Sequence, residues 1–180
     1  YETMTDTKQI TFRIRRYDPD VDTIPHWEEH KLNVPDGMTV LEALHEIKAE
    51  QAPTLAWRSS CRMGVCGSCG MFINHLPMLA CQTQVLHLET DVVTIAPLPN
   101  YDNVKDLVPD LEPLIQKHAA IKPFIILSNS KEIDEPTGEF IQTPEQRDEY
   151  SQFTFCIKCG LCLAACPTVV LSRPGRTSHP

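Results

Sequence analysis

The sequence predicts an α+β protein: a small sheet packed on one helix, followed by a mostly helical stretch. Three observations carry this. Lys8 to Tyr17 alternates Ile10, Phe12 and Ile14 with polar neighbours, the period of a half-buried strand. Thr39 with Glu42 three residues on forms a capping box, and the helix that follows places Val40, Leu41, Leu44 and Ile47 on one face. Thr143-Pro144-Glu145-Gln146 is a second helix start, with an N-cap, a proline in the first turn and Gln at the reciprocal capping position.

The remaining elements fill in around these. His26 to Val34 is a weaker strand that ends at the turn sequence Pro35-Asp36-Gly37. Met71 to Ile73 and Val92 to Ile95 supply further short strands, and Asn74 to Pro77 reads as a turn. Pro97-Leu98-Pro99-Asn100 breaks the pattern and marks a boundary, giving domains at 1–99 and 100–180. Beyond it Val104 to Ala120 reads as helical, with Pro109 and Pro113 interrupting it or limiting its start. Asn129 to Thr143 is polar and turn-rich, a loop whose acidic part, Asp134 to Glu139, reads as solvated.

Composition narrows the class of function. The chain has 180 residues, 42% apolar and 22% charged, as in an ordinary globular protein. Its formal net charge of −8 argues against nucleic acid or an anionic membrane as a direct partner, since either would need a basic face. No run approaches the ~20 apolar residues of a membrane-spanning helix, so work at a membrane would need another subunit as anchor. Tyr1 to Lys8 lacks the charged and apolar halves of a secretory signal. No glycine-rich phosphate loop and no acid–base pair stands out.

The cysteines are more informative. Cys61, Cys66, Cys69 and Cys81 form one group; Cys156, Cys159, Cys162 and Cys166 form another, with none between. Two clusters in a chain with a normal apolar fraction point to metal sites in a reducing compartment, where a disulfide framework would spread its cysteines through a shorter chain. The first group has the C-x4-C-x2-C spacing, with a later fourth cysteine, of plant-type [2Fe–2S] ferredoxins. One loop must bring three thiolates together, and Gly64, Gly67 and Gly70 suit this by letting backbone amides approach the sulfurs. A zinc knuckle would favour paired C-x2-C hooks and fits poorly. His75 and His87 read as turn or surface residues, while Trp57 and Arg58 are placed to pack against or shield the loop.

The second group, Cys156-x2-Cys159-x2-Cys162-x3-Cys166-Pro167, is the bacterial ferredoxin run, whose first three cysteines hold one [4Fe–4S] cluster and whose fourth ligates another. Here the ligands do not add up. Neither cluster is complete, and residues 168–180 contain no cysteine. Three readings stay open: a partner polypeptide supplies the missing cysteines, the chain is a piece of a longer one, or Cys166 closes a single four-cysteine site.

Taken together these segments resemble the iron–sulfur subunit of succinate dehydrogenase and fumarate reductase. The resemblance rests on the order of the two cysteine groups and on FRIRRYDP, PTLAWRSSCRMGVCGSCGMFIN, IKPFI and FIQTPEQRDEYSQFTFCIKCGLCLAACP, covering residues 8 to about 168. Gly70 and the IKPFI segment lean toward the fumarate reductase branch. The resemblance implies an N-terminal β-grasp ferredoxin domain and a partial helical ferredoxin domain. It implies Cys61, Cys66, Cys69 and Cys81 as [2Fe–2S] ligands, Cys156, Cys159 and Cys162 as [4Fe–4S] ligands, and Cys166 on a [3Fe–4S] cluster. It also implies an FAD-containing flavoprotein partner, membrane-anchor subunits that bind quinone, and a place on the cytoplasmic or matrix face of an energy-conserving membrane. This chain would relay electrons without a substrate site of its own. The family's later cysteines are missing, which a separately encoded C-terminal polypeptide would explain. A free ferredoxin-type carrier and the iron–sulfur subunit of a thiol-dependent fumarate reductase are the alternatives.

Overall fold

The computed structural model describes residues 7–124, 126 and 131–171. Part of the N-terminal stretch, Ile125 of the IKPFI segment and the first two residues of the expected 129–143 loop therefore lie outside the described residues. Contacts separate two compact units, residues 1–111 with 158–180, and residues 112–157.

The first unit is built on a five-stranded mixed sheet. Its strands are β1 (Lys8–Arg16), β2 (His26–Val34), β3 (Gly70–Ile73), β4 (Leu76–Leu79) and β5 (Val92–Ala96), in the order β2-β1-β5-β3-β4. β1 runs antiparallel to β2 and parallel to β5; β3 runs antiparallel to β5 and β4. Helix α1 (Val40–Glu50) lies in the grip of the sheet and buries Val40, Leu41, Ala43, Leu44 and Ile47 against it. This is a β-grasp arrangement. The alternation expected of β1 holds, with Ile10, Phe12 and Ile14 fully buried. Each such side chain contributes about 1.5–3 kcal/mol of burial. Thr39 forms the expected capping box with Glu42.

Two expectations change. Asn74 to Pro77 is not all turn: Asn74 and His75, both with positive φ, make the two-residue turn, and Leu76 already belongs to β4. The backbone at both positions is left-handed, the geometry that tight hairpins need. The helix expected over Val104–Ala120 begins only at Glu112. Residues before it form a short hairpin of β6 (Asn103–Lys105) and β7 (Val108–Pro109), turning at Asp106 with φ of 44°. Pro109 has no N–H to give a helix, and the side chain of Asp106 supplies the competing interactions.

That side chain is the buried hinge of the unit. Asp106 is 1% exposed, and its Oδ1 accepts from the Tyr17 amide (3.0 Å) and Arg16 Nε (2.9 Å), while Oδ2 accepts from the Ala56 amide (2.9 Å). Arg16 also donates to Glu28 Oε2 (2.6 Å) and Thr54 Oγ1 (2.9 Å). One carboxylate thus joins the end of β1, the 103–109 hairpin and the segment that leads into the first cysteine loop. Trp57, next in that segment, packs half-buried on the core, edge-on to His45 of α1 at 5.0 Å between ring centres, with the Lys48 ammonium 5.1 Å from its ring centre. Arg58 is exposed.

The second unit contains α2 (Glu112–Ala120), α3 (Lys131–Asp134) and α4 (Pro144–Ser151), then a 3₁₀ turn at Gln152–Phe155. Thr143 caps α4 with Gln146 as expected. The polar stretch before it is not wholly loop, because α3 adds one helical turn. None of the described residues of this unit is buried.

Removing Arg16 leaves a buried carboxylate without its counter-charge, so Arg16→Met is expected to cost about 3–5 kcal/mol, read as the shift in a urea unfolding curve. Burial alone pushes the Glu28 carboxyl up, but the hydrogen bond and charge of Arg16, helped by His26 and His30, outweigh it and hold Glu28 below its ordinary value. A depressed carboxyl contributes stability above its unfolded value, near 4.5, and loses it as pH falls through the lower folded value. Acidification below 4.5 is therefore expected to lower the melting temperature less in Glu28→Gln than in the unsubstituted chain.

Candidate metal centre

The segment from Ser59 to Cys69 makes neither helix nor strand, and its amides turn to sulfur instead. Met63, Val65 and Cys66 donate backbone N–H to Cys61 Sγ at 3.5, 3.3 and 3.3 Å. Cys61 donates its amide to Cys66 Sγ at 3.5 Å, and Gly64 donates to Cys81 Sγ at 3.3 Å. The last contact brings Cys81, two residues beyond β4, to the loop. Arg62, Gly64 and Gly67 all have positive φ, which curls the chain around the sulfurs.

The four sulfurs stand as two pairs: Cys61 hydrogen-bonds with Cys66, and Cys69 with Cys81. All four are free thiols, the second pair buried. Among the described residues, no three Cys, His, Asp or Glu side chains stand where a single metal ion would bind. Two thiol pairs ringed by amide donors fit a two-iron cluster, whose bridged irons each take two thiolates and whose negative charge the amides offset. The surroundings also divide the pairs electrically. Hydrogen bonds from the Ser68 hydroxyl, then from the Cys61 and Ser68 amides, bring the Cys66 thiol down to about 6. Burial, with Cys81 and Cys66 close by, pushes Cys69 up to about 11.

In the second group, Cys159, Cys162 and Cys166 belong to the first unit and Cys156 to the second. Gly160 adopts a left-handed backbone and opens α5 (Leu161–Ala164), which carries Cys162. Cys166 precedes α6 (Pro167–Leu171), and the amides of Val169 and Thr168 hold its thiol below the ordinary range. Residues 100 and 101 anchor this segment. The Tyr101 hydroxyl donates to the Gly160 carbonyl (3.0 Å), and Asn100 Nδ2 donates to the carbonyls of Leu163 (2.9 Å) and Ala164 (3.1 Å). Asn100 reads in the sequence as part of a boundary, and nothing local marks it or Tyr101 as a side chain that bonds about sixty residues away. His75 and His87 stand apart from the cysteines' bonding, His75 in the β3–β4 turn and His87 in a 3₁₀ turn.

Comparison with known proteins decides the family. A family model described as a 2Fe-2S iron-sulfur cluster binding domain matches residues 11–116, and one described as a 4Fe-4S binding domain matches residues 152–172. The fumarate reductase iron–sulfur subunit of Escherichia coli O6:H1 is 44% identical over 164 residues, covering 91% of this chain and 66% of that protein. The chain belongs to the iron–sulfur subunits of fumarate reductase and succinate dehydrogenase. Iron–sulfur clusters are the cofactors of both matched domains. Within this family, the mitochondrial succinate dehydrogenase iron–sulfur subunit of Candida glabrata is 40% identical, over 88% of this chain and 62% of its own length. A chain of the Mycobacterium smegmatis Sdh1 complex in the apo form superposes with a TM-score of 0.74 at 32% identity, over 91% of this chain and 65% of that one. The resemblance read from the cysteine segments, and the α+β fold it implies, are thereby borne out. The chain spans just under two thirds of the length of these relatives.

In the metal-free chain at neutral pH, Cys66 is expected to be thiolate and Cys69 a thiol. Brief treatment with iodoacetamide should therefore label Cys66 well ahead of Cys69, as read by peptide mass spectrometry.

Proposed function

We propose that this chain is the electron-transfer subunit of a succinate:quinone oxidoreductase or quinol:fumarate reductase, relaying electrons between an FAD-containing flavoprotein subunit and quinone held by membrane-anchor subunits. The observation that carries the reading is the amide-lined four-cysteine loop with three cysteines of the second run, Cys159, Cys162 and Cys166, in the same compact unit. That is an arrangement for passing charge between two sites.

When bound, iron–sulfur clusters accept and return single electrons. The chain's own residues do the rest. Cys61, Cys66, Cys69 and Cys81 would hold a [2Fe–2S] cluster. Cys156, Cys159 and Cys162 would hold a [4Fe–4S] cluster, and Cys166 would serve a [3Fe–4S] cluster. The five amides on the first group's sulfurs favour added negative charge there, and thereby raise the potential. In domain terms, residues 1–99 carry the first site and 100–180 the second cysteine run.

The same reading gives the chain no substrate site of its own and places it at a membrane through partners, on the cytoplasmic or matrix face. Among the described residues, no helix is long and apolar enough to cross a membrane. In the second unit Phe124, Phe140, Ile141, Phe153 and Phe155 are all exposed. An apolar surface of this kind marks an interaction site in a soluble protein.

The test is EPR of the native assembly, oxidised and then reduced with succinate and with dithionite. An oxidised [3Fe–4S] signal together with reduced [2Fe–2S] and [4Fe–4S] signals is expected, and Cys166→Ser should abolish the first while leaving the second. A [2Fe–2S] signal alone, with no co-purifying flavoprotein, would favour a free carrier. Electrons supplied by thiols instead of quinol would favour a thiol-dependent reductase.

A further inference from the structure

We propose that Gly67 and Gly70 are positioning residues. Their missing side chains let the backbone of Cys159 rest directly on the first cysteine loop, and so set the separation of the two cluster sites. The proposal rests on the ligand assignment above, and it concerns distance rather than ligation.

A Cβ at Gly67 would stand 2.6 Å from Cys159 Cβ, 2.8 Å from its Cα and 3.1 Å from its amide nitrogen. Two of these are backbone atoms, which cannot rotate aside as a side chain can. At Gly70 a Cβ would stand 3.2 Å from the Cys159 carbonyl oxygen and 3.3 Å from Leu161 Cδ2. Gly37 is the contrast. Its φ of +82° resembles the +72° of Gly67, yet nothing lies within 4 Å of its missing Cβ. Turn geometry accounts for Gly37 completely and for Gly67 only in part. It does not account for Gly70, which opens β3 outside the left-handed region.

The second loop is held onto this seat by bonds to its carbonyls. Tyr101 holds that of Gly160, and Asn100 holds those of Leu163 and Ala164. Gly160 has no room for a side chain either, since its Cβ would lie 2.9 Å from the Tyr101 hydroxyl oxygen. The Tyr101 and Asn100 hydrogen bonds all grip backbone carbonyls, so they leave the side chains of Cys159 and Cys162 to ligate. The two cysteine-bearing loops thus meet with no side chain from Gly67 or Gly70 between them. For a relay, that separation governs how readily charge passes.

The test compares Gly67→Ala, Gly70→Ala and Gly37→Ala in the native assembly. Iron and sulfide content are measured, and the dithionite-reduced EPR spectrum is recorded. Magnetic interaction between two reduced clusters falls with the cube of their separation, so it reports spacing independently of turnover. Gly67→Ala is expected to retain the first-site signal with its spin–spin broadening reduced. Gly70→Ala, where a neighbour must give by a few tenths of an ångström, should show a smaller loss. Gly37→Ala should leave the broadening as it was. Unaltered broadening in Gly67→Ala and Gly70→Ala, with both signals present, would overturn the proposal. Where Gly67→Ala fails to take up its first cluster, Gly70→Ala alone decides by the same criterion. A single paramagnet in the unsubstituted assembly would overturn the ligand assignment itself, and the proposal with it.

Discussion

A loop that aims its amides at sulfur cannot also use them for helix or sheet. This constraint shapes the first unit. Residues 61–66 direct five backbone N–H groups at three sulfur atoms, so nothing in the loop's own hydrogen bonding holds it in place. The scaffold does so from both ends. Upstream, the buried carboxylate of Asp106 takes the Ala56 amide and Lys48 reaches the Leu55 carbonyl at 2.6 Å. Downstream, Gly70 enters β3, and the Ala80 amide returns to the Cys69 carbonyl at 3.1 Å, which fixes where Cys81 arrives.

Seen this way, the β-grasp sheet and the Arg16–Asp106 pair serve one purpose. A buried ion pair is weak evidence for stability, because desolvation offsets much of its attraction. Here it acts through geometry. Arg16 ends β1, Asp106 turns a hairpin ninety residues later, and Ala56 begins the approach to Cys61. Three distant parts of the chain are brought to one carboxylate, which leaves the cysteine loop little freedom to drift. The amide donors then act on sulfur without reorganising, the condition under which fixed dipoles tune a metal site most strongly.

The fold was legible wherever the signal was local. Ile10, Phe12 and Ile14 announced β1 by their period, and the capping boxes at Thr39 and Thr143 announced two helix starts, because both signals need only a few consecutive residues. The 103–109 hairpin was not legible. Its sequence is helix-compatible apart from one proline, and the decisive interaction is Asp106 with Arg16, Tyr17 and Ala56, all far away in the chain. Strand β4 hid for a related reason: Pro77 argues against a strand, and only its edge position in the sheet makes a proline acceptable there.

For the metal centre the division is sharper. Thiolate spacing is a local property, since the reach of one short loop limits which metal cluster it can wrap, and so the sequence by itself determined the two cysteine groups, their iron–sulfur character and the family. It could not show that Cys69 and Cys81 are buried while Cys66 is drawn toward thiolate by Ser68, because burial and hydrogen bonding exist only after folding. Nor could it show that Gly67 faces Cys159. A glycine in a cysteine loop has an adequate local explanation in its backbone angle, and only the tertiary structure reveals the second backbone lying against it. The order of the cysteines is covalent; the distance between the two cysteine groups is decided by packing.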